Sequence, residues 1–171
     1  MLGRTLEPTE ALAKRLVDIA PDRFSHIFFG CSGSDAVETA VKIVWYYNNA
    51  LGRPRKKRII ARQFAYHGSG MMSASLTGFA HSHQGFDLDG PLVLRAAFPA
   101  YQKSRDPSES EEDYSCRLAA ELDQQIKEAG PETIAAFIAE PVMCSCGVFL
   151  PPTGYWEKVQ PVLEKHDVLL I

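Results

Sequence analysis

Three short stretches carry the residues whose types and spacing could do chemistry. In the first, Phe28-Phe29-Gly30-Cys31-Ser32-Gly33-Ser34-Asp35, an apolar run stops at small residues and a helix pattern starts at once. Its opening turn offers backbone N–H groups, hydroxyls and little bulk. Those are the requirements of a seat for a phosphate or another anion, because the first N–H groups of a helix have no partner inside it. Gly33 would allow close approach and Ser34 would add a hydroxyl. The same residues also read as a plain helix start, with Ser32 or Ser34 as the cap and Asp35 complementing the dipole. No Gly-Lys-Ser/Thr follows, so this is not a Walker A loop, and the glycine spacing of a dinucleotide fingerprint is missing.

The second stretch is Tyr66-His67-Gly68, directly after a strand pattern. In α/β folds ligands gather at that end of strands, and an aromatic there can stack on a flat ligand. The other reading is a buried aromatic with a histidine bonded to backbone. The third is Glu140-Pro141, after the most apolar run of the chain. A carboxylate there is a functional acid, or else the partner of an arginine or a cap. Cys144-Ser145-Cys146 lacks CxxC spacing and a nearby histidine, so no metal site is assigned. His81-Ser82-His83 reads as loop.

The elements that must position these residues follow from periodicity. Thr9 to Ala20 reads as an amphipathic helix capped by Thr9, with Leu12, Leu16 and Ile19 at helical spacing. His26 to Gly30 reads as a short strand. The helix after Ser34 carries a stripe of Val37, Val41 and Val44 and stops at Gly52 and Pro54. Arg53, Arg55, Lys56, Lys57 and Arg58 form a basic run without interleaved aromatics, read as a solvated connection. Strand patterns follow at Ile59-Ile60-Ala61 and Leu92-Val93-Leu94. Between them Met71 to Leu76 reads as a helical turn or two, and Thr77 to Gly90 as a long loop. Pro99 to Asp113 reads as an exposed polar connection, and Tyr114 to Ala129 as a helix with Leu118, Leu122 and Ile126 on one face. Ile134 to Ala139 is apolar without alternation, the mark of a strand buried on both faces of a parallel sheet. A helix over Thr153 to Lys165, interrupted by Pro161, and a strand over Val168 to Ile171 complete the pattern. Strands alternating with helices give an α/β class with a mostly parallel sheet.

Composition bounds the rest. The chain has 171 residues, the size of one domain, with 46% apolar and 23% charged residues and a net charge of −3. That balance favours neither nucleic acid nor an anionic membrane as a partner. Cys31, Cys116, Cys144 and Cys146 form no disulfide framework. No apolar run approaches the roughly 20 residues of a membrane span. The start, Met1 to Pro8, shows no secretory leader, so a cytoplasmic protein is the expectation. The chain closes inside a strand pattern, which suggests an internal piece of something longer.

Taken in order, Ser32-Gly33-Ser34-Asp35-Ala36-Val37-Glu38-Thr39-Ala40-Val41-Lys42, Tyr66-His67-Gly68, Ala139-Glu140-Pro141-Val142 and Val168-Leu169-Leu170-Ile171 resemble the class III aminotransferases. The omega-amino acid:pyruvate branch is the most similar. These are pyridoxal-phosphate (PLP) enzymes of fold type I, and the resemblance spans essentially the whole chain as part of their large cofactor-binding domain. It implies a site of Ser32, Gly33 and Ser34 at the cofactor phosphate, Tyr66 stacked on its ring with His67 and Gly68 beside it, and Glu140 near cofactor and substrate. It further implies transfer of an amino group from an amine or omega-amino acid to a keto acid, by a homodimer. The family's Schiff-base lysine and pyridine-nitrogen Asp would lie beyond Ile171, together with the small domain, so no catalytic residue is assigned here and the chain by itself is expected to be inactive. A non-catalytic remnant, and an aminomutase or decarboxylase using the same cofactor, are the alternatives. Three departures stand out: Asp35 replaces a frequent Glu, Cys144-Ser145-Cys146 replaces a Gly-rich turn, and Pro161 is unusual inside its helix.

Overall fold

In the computed structural model, residues 5–88 and 90–171 are described. Met1 to Arg4, read above for a leader, and Asp89, in the expected long loop, lie outside the described residues. The core is a sheet of four parallel strands: β1 (Arg58–Arg62), β2 (Val93–Ala96), β3 (Ile134–Ile138) and β4 (Leu169–Leu170). Their spatial order is β2-β1-β3-β4. The apolar run read as doubly buried is β3, which pairs with β1 on one side and β4 on the other, and every residue of it is buried. Each such large side chain contributes on the order of 1.5–3 kcal/mol.

Helices cover both faces. Ile59 and Ala61 point to one face, where α2 (Gly33–Ala50) packs Val41 and Val44 and α3 (Met71–Leu76) packs Leu76. Ile60 and Phe137 point to the other, against Leu118, Leu122 and Ile126 of α5 (Glu111–Ala129) and Val159 and Leu163 of α6 (Tyr155–Lys165). The alternation within β1 is the two-residue period of a strand. Pro161 lies on the exposed side of α6, and the helix continues through it.

Several expectations are corrected. His26 to Gly30 forms no strand: it is irregular and largely exposed, because among the described residues no strand lies beside it to take its hydrogen bonds. The first helix, α1 (Glu7–Ile19), starts before Thr9; Leu6 is its N-cap residue, and Pro8 sits in its first turn, where a missing N–H costs nothing. No residue of α1 is buried. The connection read over Pro99 to Asp113 holds a short helix, α4 (Tyr101–Ser104), and the start of α5. Ser110 caps α5 by accepting the Asp113 N–H at 3.1 Å, and the acids Glu111, Glu112 and Asp113 suit its first turn. The long loop contains a single turn of 3-10 helix at Ala80–Ser82.

The basic run is a solvated connection only in part: Arg53 and Arg55 are exposed, but Lys56 is buried. Arg53 pairs with Asp167, and Arg55 meets Glu132 at 3.0 Å. Lys56 is buried and donates to the backbone oxygens of His166 (3.3 Å) and Asp167 (2.5 Å). These contacts tie the entry of β1 to the entries of β3 and β4, at the end of the sheet opposite the strand exits.

The order of the strands locates a site. From β1 the chain moves outward to β2, then returns across to β3 and continues to β4. The direction reverses between β1 and β3, so the segments leaving those two strands diverge, and such a switch point is where open α/β sheets hold ligands.

Candidate functional site

The three stretches singled out above converge at that switch point. Ser32 is the N-cap of α2: its side chain accepts the Asp35 N–H at 3.1 Å, and its carbonyl accepts the Ala36 N–H at 3.0 Å. Asp35 in turn accepts the Cys31 N–H at 3.1 Å. The capping reading of Ser32 therefore holds. It is compatible with an anion seat, since the N–H groups of Gly33 and Ser34 precede the first intrahelical bond. A Cβ built on Gly33 would meet nothing within 4 Å, so the backbone there is open to approach.

Ser34 faces the second stretch. Its Oγ accepts the Ser69 N–H at 3.0 Å, which leaves its own hydroxyl proton to donate elsewhere. Gly68, at φ +132°, passes so close to α2 that an added Cβ would stand 2.6 Å from Ser34 Oγ and 3.0 Å from Ser34 Cα. Only glycine fits that position, in space and in backbone angle. Tyr66, one-half exposed, presents its ring at the surface while its N–H donates to Glu140 Oε1 at 3.0 Å. Glu140 thus joins the segment leaving β3 to the segment leaving β1.

Arg62 completes that join. It is the last residue of β1, almost fully buried, and its Nη2 donates to both the backbone oxygen of Glu140 and Glu140 Oε2. Of the two bland readings of Glu140, the arginine partner is the one the structure shows. Trp156 of α6 lies under the guanidinium, with Arg62 Cζ 5.8 Å from its ring centroid. Arg62 escapes a sequence reading because its partner is 78 residues away.

His67 is buried. Its backbone N–H, not its ring, donates to Thr77 Oγ1 at 3.0 Å, so the bond is not the ring-to-backbone one expected from the sequence. The ring Nε2 is buried and, like Nε of Arg62, finds no hydrogen-bond partner among the described residues. Burial pushes the imidazole down to about 4, helped by Arg62 and Arg95 and opposed by Glu140. The ring therefore stays neutral at physiological pH.

Cys144 and Cys146 sit in a turn closed by the antiparallel bridge of Met143 with Phe149. Both thiols are free, and burial raises the pKa of Cys146. His81 packs against the Phe79 ring, and His83 faces the Ala74 carbonyl.

A sequence model described as aminotransferase class-III matches residues 2–171. The chain belongs to the class III aminotransferases. Among curated relatives, vanillin aminotransferase of Capsicum frutescens is 53% identical over 170 residues, 99% of this chain and 37% of that protein. Gamma aminobutyrate transaminase 1, mitochondrial, of Solanum lycopersicum is 53% identical over 170 residues, 99% of this chain and 33% of that protein. Among solved structures, the omega transaminase of Pseudomonas jessenii in complex with PMP is 48% identical, with a TM-score of 0.96 over 99% of this chain and 38% of that one. The class III chain described here thus spans about a third of the length of the curated relatives it matches. Its α/β fold, a parallel sheet between helices, is that of the fold-type I transaminases. Among its described residues no helix is long and apolar enough to cross a membrane.

Proposed function

We propose that this chain is part of the cofactor-binding large domain of a longer PLP-dependent transaminase, which moves an amino group from an amine or omega-amino acid to a keto acid. The observation that carries the reading is the convergence of Ser34, Gly68, Tyr66 and Glu140 at the switch point. The residues present suit the cofactor. The open backbone at Gly33 admits a phosphate oxygen, the Gly33 and Ser34 N–H groups point along the start of α2, and the Ser34 hydroxyl has a proton to donate. Tyr66 has an exposed ring on a backbone anchored by Glu140.

When bound, PLP supplies a carbonyl carbon that takes up the amino group and a ring that acts as an electron sink. The chain's own residues bind and orient. Ser32 holds the start of α2, Gly33 and Ser34 would receive the phosphate, Tyr66 would cover one ring face, and His67, next to Tyr66 in the chain, stays a neutral imidazole. Glu140 fixes the Tyr66 backbone while Arg62 holds Glu140. No residue of this chain is assigned the Schiff base. Lys56, the buried lysine among the described residues, is committed to carbonyls at the opposite end of the sheet, where the strands begin.

The intact protein is proposed to be a homodimer. The support is apolar surface left open on α1 and beyond: Leu12 and Ile19, then Phe28 and Phe29, then Ile43 and Tyr46 on α2 are all exposed. A cytoplasmic location is proposed for the intact protein, although relatives include mitochondrial and chloroplastic transaminases.

The test is to titrate PLP into the intact protein and to assay amino transfer from an amine to pyruvate. Binding and turnover are expected, with Tyr66→Ala weakening PLP by about tenfold through lost ring contact. An intact protein that neither binds PLP nor transfers an amino group would sink the reading.

A further inference from the structure

The loop that carries Tyr66 hangs on α3. The Gly70 N–H donates to Ser73 Oγ at 2.9 Å, and the His67 N–H donates to Thr77 Oγ1 at 3.0 Å. The Thr77 hydroxyl lies 3.2 Å from the Gly68 oxygen and 3.0 Å from the Ser73 oxygen, and Thr77 is fully buried. Where α3 stands, the loop must stand.

Yet α3 is six residues long. Helices that short have almost no stability of their own, because nucleation costs more than a turn or two returns. Its N-cap position is Gly70, which has no side chain to offer, and its last carbonyls have no partner within the helix. Both ends are instead held from outside. At the start, Glu38 of α2 places Oε1 2.8 Å from the Met72 nitrogen and 2.8 Å from the Ser73 nitrogen, accepting both N–H groups. It comes so near that a Cβ on Gly70 would stand 2.6 Å from that oxygen. At the finish, Arg95 of β2 donates to the backbone oxygens of Ser75, Leu76 and Thr77. The signs are right for the partial charges at helix ends, an anion at the N–H end and a cation at the C=O end.

We propose that Glu38 and Arg95 are positioning residues that clamp the two ends of α3 and thereby fix the Tyr66–Gly70 loop. The consequence for a ligand rests on the reading of Tyr66 as the ring-covering residue; the clamp itself does not. Glu38 and Arg95 act through α3, Ser73 and Thr77.

The experiment is amide hydrogen exchange on the intact, cofactor-free protein, comparing wild type, Glu38→Ala, Glu38→Gln and the remote core variant Leu122→Ala. Glu38→Ala is expected to speed exchange about tenfold or more at Met72 and Ser73 and, together with them, across Tyr66 to Gly70. Glu38→Gln keeps an acceptor oxygen and is expected to stay within about threefold of wild type. Leu122→Ala destabilises the far face of the sheet and is expected to leave the loop no more open than the rest of the molecule. Should Glu38→Ala not fold, Glu38→Asp, whose shorter reach stretches both hydrogen bonds, and Arg95→Lys carry the same comparison. Faster exchange confined to Met72 and Ser73, or a Leu122→Ala variant that opens the loop selectively, overturns the proposal. PLP affinity is read separately, with a fall of about tenfold expected in Glu38→Ala. A wild-type protein that binds no PLP defeats the functional reading and leaves the exchange result to decide the clamp.

Discussion

Ser34 and Gly68 are in such close contact that no side chain can exist at residue 68. A Cβ there would lie 2.6 Å from Ser34 Oγ and 2.9 Å from Ser73 Oγ, at a backbone φ of +132°. The start of α2 and the segment leaving β1 are therefore fitted backbone to backbone, 34 residues apart in the chain. Gly33, next to Ser34 in the same turn, is the opposite case, with open space where a Cβ would go.

The two glycines should separate stability from binding. Gly68→Ala forces apart α2 and the loop and takes on backbone strain, so it should cost about 2–4 kcal/mol in denaturant unfolding of the intact protein. Gly33→Ala, in a helical position with free space, should leave stability within about 1 kcal/mol of wild type. If the phosphate of PLP approaches the Gly33 backbone, the same variant should weaken PLP binding. A Gly33→Ala protein with unchanged PLP affinity would move the phosphate seat elsewhere.

Arg62 and Glu140 make the second prediction. The guanidinium is almost fully buried and the carboxylate mostly so, with side-chain exposures of 1% and 19%. Removing one partner strands the other charge, so Glu140→Ala should cost about 3–5 kcal/mol. Glu140→Gln keeps oxygens for the Tyr66 N–H and for Arg62 and should lose clearly less. Equal losses in the two variants, measured by urea unfolding, would show that the amide cannot take over those contacts.

What the sequence revealed and what it hid divide along sequence distance. The buried strand β3 was legible because Ile134 to Ile138 is apolar on both faces, a local property. The start of α2 was legible because Ser32 caps a helix three residues on, again local. The grouping of Ser34, Tyr66 and Glu140 rests on the order of motifs, and in the fold Ser69 contacts Ser34 and Tyr66 contacts Glu140. Arg62, Glu38 and Thr77 went unread because what each does depends on partners that only the fold brings near. His26 to Gly30 was misread for the same reason: its residues suit a strand, but a strand also needs a neighbour, and none lies there among the described residues. Lys56 looked like one charge among five until the turn at His166 and Asp167 closed over it.

His67 should give the protein a pH dependence of known sign. Its folded pKa is pushed from 6.5 to about 4, so between those values the unfolded chain binds more protons than the native one. Stability from the neutral ring is then fully present above pH 6.5 and is lost as pH falls toward 4, by up to about 3 kcal/mol. Replacing His67 by Gln removes the titrating group and should flatten that part of the curve, whatever it costs at neutral pH. Unfolding free energies of both proteins at pH 7 and pH 4.5 test this. The same pH slope in both would place the titration on other groups.

Lys56 and Arg55 are neighbours in sequence and opposites in energetics. Arg55 pairs with Glu132 at 3.0 Å, but both side chains are more than half exposed, at 71% and 55%. Such a pair is worth little, so Arg55→Ala should change stability by less than about 0.5 kcal/mol. Lys56 is buried, its pKa is lowered first by that burial with Asp167 opposing, and its ammonium meets the His166 and Asp167 carbonyls at the turn into β4. Lys56→Ala leaves those carbonyls without their donor and opens a cavity, and should cost at least about 2 kcal/mol. Lys56→Met keeps the apolar stem, so the difference between Met and Ala reports packing and the remainder reports the ammonium. Thermal melts of the three variants decide the matter: if Lys56→Ala melts where Arg55→Ala does, Lys56 is no more than a surface charge and the turn at His166–Asp167 is held by other contacts.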